Sequence, residues 1–195
     1  MITSNVFDEI HNGISVKMCY LPLKIHTICE TEISFTDFKE AVESEIESIN
    51  VSLYDQGTPL QILVCNPDLA SYDKFSLLVQ HGADITVDNP DCQDLFSCIC
   101  DQEFQLRDLV TKSRDCELCS QLTRFHENYI PILDFLLKNN VYTEEPVYIH
   151  NGSDNVVQQF PILELLKHKE YIPILKKHLG KFHTEQVKNI LCSSD

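Results

Sequence analysis

"GTPLQILVCNPDLASYDKFSLLVQHGADIT", residues Gly57 to Thr86, is the stretch on which the fold turns. Thr58 can cap a helix with its hydroxyl, and Pro59 suits the first helical position, where its missing N–H has no intrahelical partner. Leu60, Leu63 and Val64 then share one helix face. Asn66-Pro67-Asp68 closes that helix, because a residue before proline avoids the α region. A second helix is expected from about Tyr72, with Phe75, Leu78 and Val79 on its apolar side. Gly82 should stop it, since glycine takes the left-handed conformation without a Cβ clash. Neither helix can bury its stripe alone, so the unit predicts stacking on copies of itself.

Composition narrows the function classes. The 195 residues suffice for a continuous core. No run of 18 apolar residues and no basic-then-apolar N-terminus is present, so neither a membrane span nor a secretory signal is read. Nine cysteines, an odd number, argue for reduced thiols used as small hydrophobes rather than for a disulfide framework. A net charge of −15 opposes nucleic acid or an anionic membrane as the main partner. Acids crowd one region, at Glu30, Glu32, Asp37, Glu40, Glu43, Glu45 and Glu47, and a solvated helix face accounts for them. The C-terminal part is lysine-rich.

The helix-pair unit recurs in weaker form. Leu21-Pro22-Leu23-Lys24-Ile25-His26 has the shape of Thr58-Pro59-Leu60-Gln61-Ile62-Leu63, 37 positions earlier by its proline. Ser34 or Thr36 can cap a helix carrying Phe35, Phe38, Val42 and Ile46. Asp94-Leu95-Phe96 opens a third unit, whose second helix is Tyr129 to Leu137 with Asn140 as its stop. Phe160-Pro161-Ile162-Leu163 opens a fourth, with Tyr171 to Leu175 following and Gly180 at the end. The periodicity predicts an all-α solenoid of about four degenerate repeats, at 18–51, 52–87, 88–145 and 155–183, within one domain spanning 1–195. A helical insertion at 103–126 lengthens the third repeat, and a capping helix covers 184–192. The apolar residues left at Ile174, Leu175 and Leu179 predict that the protein continues beyond Asp195.

Thr58-Pro59-Leu60 with Leu78-Val79-Gln80-His81-Gly82-Ala83-Asp84 resembles the ankyrin repeat. The paucity of alanine, the many Ile, Asn, Asp, Tyr and Cys residues and the irregular insert are similar to poxvirus ankyrin proteins of the host-range and immune-evasion type; a bacterial ankyrin effector is the competing resemblance. The resemblance implies a non-enzymatic binding protein in the host-cell cytoplasm, directed at a host innate-immune or cell-death signalling protein, with the NF-κB and necroptosis pathways as candidates. It implies recruitment of a cullin ubiquitin ligase only through a C-terminal F-box, and no such segment is legible after Gly180. Turn-tip positions would then contact the partner: Tyr54, Asp55 and Gln56; Val87, Asp88 and Asn89; Tyr148, His150 and Asn151. Tyr54 and Tyr148 are the preferred anchors, because tyrosine joins contact area to a polar end.

The alternative chemistry lies in Cys92, Cys98, Cys100, Cys116, Cys119 and His126. Cys98, Cys100, Cys116 and Cys119 could supply four thiolates to zinc, or a redox pair. Against this, residues i and i+2 of a helix diverge, so Cys98 and Cys100 would not converge on one ion. The expectation is therefore no cofactor and no metal. Glycine-rich phosphate loops, Gly-x-Ser-x-Gly and His-Glu-x-x-His are all absent, and no catalytic residue is assigned. His26 reads as a satisfied structural histidine.

Overall fold

Ser34, Thr58 and Ser71 each accept a backbone N–H three residues on, from Asp37, Gln61 and Lys74. These caps start three of the four helices in the first half of the chain, where the sequence places them. A computed structural model describes residues 6–11, 14–54, 56–86, 94–113, 115–144, 147–150 and 156–193. The chain divides into two compact units, Met1–Leu95 and Phe96–Asp195.

The first unit opens with β1 (Val6–His11) and β2 (Ile14–Cys19), an antiparallel pair in which Phe7 faces Met18 and His11 faces Ile14. Helices α1 (Lys24–Cys29) and α2 (Phe35–Ser44) and a 3₁₀ turn at Ile46–Ser48 follow. β3 (Ser52–Leu53) then lies parallel to β2 and completes a three-stranded sheet in the order β1-β2-β3. Helices α3 (Pro59–Val64) and α4 (Tyr72–Gln80) close the unit. α1 packs on α3 and α2 on α4. Phe38, Leu60, Leu63, Phe75 and Leu78 are fully buried between them. Each such side chain contributes roughly 1.5–3 kcal/mol by leaving water.

Gly82 ends α4 as expected, at φ +95°. The Ala83 and Gly82 amides donate to the Leu78 and Val79 carbonyls, so the last turn keeps its hydrogen bonds. Asn50 fastens this stop: its side-chain N–H donates to the Gly82 carbonyl at 2.9 Å, and its Oδ1 accepts the Asp84 amide at 2.8 Å.

The second unit begins on α5 (Leu95–Ser113), continues into α6 (Cys116–Lys138), and then forms an antiparallel hairpin of β4 (Val147–His150) and β5 (Val156–Gln159). Short helices α7 (Pro161–Leu165) and α8 (Ile172–Lys177) come next, then a 3₁₀ turn at Leu179–Lys181 and α9 (Glu185–Ser193). Asn140 is the left-handed stop of α6 at φ +61°, and its surroundings repeat the Gly82 bonding, with Val141 and Asn140 donating to Leu136 and Leu137.

The fold is therefore mostly helical with a small mixed sheet, and the expected all-α solenoid of four ankyrin repeats is overturned. Two features of the chain explain the difference. The period-2 alternation of Val6 to Cys19 around Asn12-Gly13 is a hairpin pattern, and all but its last two residues lie ahead of the first expected repeat, 18–51. Leu95 to Lys138 contains no glycine and a single proline, and that proline does not start a helix. Pro131 sits inside α6, which Asp115 caps through the Glu117 amide at 2.9 Å. Residues 103–126, expected as an insertion, are thus the body of two helices of 19 and 23 residues, far longer than repeat helices.

Candidate interaction surface

Phe7, Tyr20 and Tyr54 come from the three neighbouring strands of the first unit, the two tyrosines one residue past the ends of β2 and β3. Period-2 geometry puts them on one face: Phe7 opposes Met18, Tyr20 lies two residues beyond Met18, and Tyr54 two beyond Ser52, the partner of Met18. Met18 and Ser52 are buried on that face, Phe7 is half-buried, and Tyr20 and Tyr54 are exposed. The Phe7 and Tyr20 rings stack at 4.9 Å between centroids, and Tyr20 and Tyr54 meet at 5.3 Å with a 49° tilt. Tyr20 is 65% exposed, its neighbour Leu21 60% and Tyr54 43%. The Tyr54 amide donates to the Cys19 carbonyl at 2.9 Å, which holds Tyr54 beside Tyr20.

The charge is concentrated in the same unit. Met1–Leu95 carries sixteen Asp and Glu against four Lys, a net −12, and Phe96–Asp195 carries fourteen acids against eleven bases, a net −3 of the total −15. Glu30, Glu32, Asp37, Glu40, Glu43 and Glu47 are exposed, and Glu45 instead accepts the Ile25 amide at 3.0 Å, which anchors α1.

Of the residues expected at turn tips, Tyr54 and Gln56 are exposed at the end of β3. Tyr148 and His150 lie on β4 rather than on a tip. Asp55, Val87, Asp88, Asn89 and Asn151 fall outside the described residues. Phe7, Tyr20 and Leu21 were missed. A ring row on one face follows only from strand pairing, and a hairpin at 6–19 would have supplied it.

The cysteine alternative is pulled apart. Cys98 and Cys100 lie near the start of α5, while Cys116 and Cys119 open α6 just past its far end. The helix between Cys100 and Ser113 spans roughly 20 Å. Cys100 is buried and Cys116 and Cys119 are exposed, and among the described residues no group of three metal-ligating side chains forms.

Among the described residues, the second unit holds a buried acid–base cluster. Glu103 on α5 is fully buried; its Oε1 accepts from Arg107 Nε at 2.9 Å and from Arg107 Nη2, and lies 3.2 Å from His126 Nε2 on α6. Burial raises the Glu103 pKa, but the hydrogen bonds from His126 and Arg107 outweigh it and hold the carboxyl below its usual range. Tyr171, at the N-terminus of α8, is also buried, with its ring edge-on to His126 at 5.5 Å. Burial first, then the Glu103 charge, drives its phenol pKa upward. Glu103 is enclosed on all sides and out of reach of a substrate, so the cluster reads as internal ionic bracing of α5, α6 and α8. Asp134 on α6 braces the same helix from outside, accepting from His178 at 2.8 Å and from Lys177.

His26 is closed as well: its Nδ1 accepts the Leu23 amide at 3.0 Å, and Nε2–H donates to the Val51 carbonyl at 2.8 Å. That bonding fixes the neutral tautomer, and burial keeps the pKa below the ordinary histidine value.

The fold and the exposed row define a two-unit, mostly helical protein with an aromatic patch on an acidic unit. Comparison with protein-family models found no match, and comparisons with curated proteins and with solved structures found none.

Proposed function

We propose that the protein is a non-enzymatic module that binds another protein through the Phe7–Tyr20–Tyr54 row. The row carries the reading: Tyr20 and Tyr54 are exposed and touch each other, the half-buried Phe7 stacks on Tyr20, and tyrosine is among the residues that dominate binding energies at interfaces. The rings are held by strand pairing before a partner arrives, so little ordering entropy is lost on docking. The net −12 of the unit selects a basic partner and speeds its approach. The enclosure of Glu103 and His26 supports a structural role for the acid–base groups over catalysis.

The resemblance to viral host-range proteins puts a host innate-immune or cell-death signalling protein first among partners to test. Affinity capture from host-cell extract, run in parallel with the wild-type chain and with Tyr20→Ala/Tyr54→Ala, tests the reading. A captured protein that depends on both rings supports it; capture that ignores them refutes it.

A further inference from the structure

The ring row repeats at the spacing of the strands themselves. Its centroid distances of 4.9 and 5.3 Å sit close to the separation of neighbouring strands, about 4.7–4.9 Å. Tyr20 and Tyr54 sit side by side past the ends of β2 and β3, and Phe7, whose direct cross-strand partner is Met18, extends the row from Tyr20 on the diagonal. The row ends on Phe7 because β1 is the edge strand, and among the described residues nothing pairs with its outer side. A six-residue edge strand presents a row of backbone N–H and C=O groups that another extended chain can use. A strand laid along that edge would set one of its own side chains about one strand spacing, roughly 5 Å, from Phe7.

From this geometry we infer that the partner segment is an extended, arginine-bearing strand that adds to the sheet at β1 and places a guanidinium beside Phe7 as the fourth member of the row. Resting on the protein-binding reading above, the inference names its mode. The backbone of the added strand supplies affinity by completing the β1 edge, and alternate side chains supply selectivity. Arginine fits that place because it is planar and stacks on an aromatic face while carrying charge. The unit it approaches has a net charge of −12, which favours a cationic segment over a neutral aromatic one. Lysine lacks the plane, and glutamate would be repelled.

The test uses the full chain and a short blocked peptide of alternating arginine and threonine, with binding followed by isothermal titration and by backbone and aromatic NMR signals. Two further peptides carry N-methyl groups on alternate amides, one in each register. The expected result is perturbation of the Val6, Phe7 and Asp8 amides and of the Phe7 ring. N-methylation should abolish binding in one register and spare it in the other. Replacing arginine by its neutral isostere citrulline, or Phe7 by Ala in the protein, should weaken binding about tenfold. Equal binding by both N-methylated peptides would overturn the inference, because diffuse charge attraction needs no backbone pairing. Self-association of the chain that Phe7→Ala abolishes would also overturn it, by giving the edge to a second copy. Capture that depends on Tyr20 and Tyr54 alongside a failed peptide test would remove strand addition alone and leave the protein-binding reading in place.

Discussion

His26 and Gln61 hold the same post in α1 and α3. Each is the third residue of its helix, and each accepts with its side chain the amide of the residue before that helix: Leu23 N–H to His26 Nδ1 at 3.0 Å, and Thr58 N–H to Gln61 Oε1 at 2.8 Å. A helix start leaves such amides without intrahelical partners, and both positions are buried, where an unmet donor is costly. An imidazole and a carboxamide thus do one job, but only the imidazole can take up a proton.

His26→Gln should therefore keep the fold and remove a pH dependence. Burial lowers the folded-state pKa of His26 below the unfolded value of about 6.5, so the unfolded chain binds the proton first. The stability contributed is complete above that value and is lost as pH falls through the folded-state pKa. Urea melts of the wild type should weaken between about pH 7.5 and about pH 5 by more than melts of the variant. Parallel pH curves would show that His26 is not the titrating group.

Arg107→Ala should destabilise the second unit by about 2–4 kcal/mol, because it strips a donor from a carboxylate that has no access to water. Glu103→Met combined with Arg107→Leu should recover most of that loss in the same denaturation assay, since an apolar pair leaves no buried charge behind. A double variant weaker than Arg107→Ala would mean that the ion pair contributes more than it costs to bury.

Gly82→Ala should cost about 1 kcal/mol even though no atom lies within 4 Å of the added Cβ, because φ +95° strains any residue with a side chain. Chemical denaturation measures it. A neutral result would place the left-handed stop outside the cooperative unit.

Thiol reactivity should split by burial. Cys65, Cys116, Cys119 and Cys192 are exposed and should react with an aromatic disulfide in the native state. Cys19, Cys29 and Cys100 are buried and should react only at the rate of opening, with the Cys29 thiol pushed up to about 12 by burial. Mass-spectrometric mapping of labelled sites distinguishes the two groups. Fast labelling of Cys29 would contradict its packing.

Helix starts and stops were legible because they are local: Ser34 and Thr58 cap, and Gly82 and Asn140 stop, through bonds spanning a few residues. Pro131 misled because proline suits the first turn of a helix, whereas here it lies inside α6 despite the backbone hydrogen bond it removes there. The exposed face stayed hidden for a different reason. Tyr54 could be singled out by its type and its turn, but its neighbours Tyr20 and Phe7 are 34 and 47 positions away and join it only through β2–β3 and β1–β2 pairing. The two-residue β3 gives no periodic signal of its own.

The most direct measurement of the central claim is quantitative mass spectrometry of proteins captured by the wild-type chain and by Tyr20→Ala/Tyr54→Ala, with the two matched for melting temperature. Each captured protein is then purified and titrated against both. The account predicts a basic protein that binds the wild type with salt-sensitive affinity and binds the variant at least about tenfold more weakly. Equal affinity for both chains, or a partner that is acidic and indifferent to salt, would contradict it.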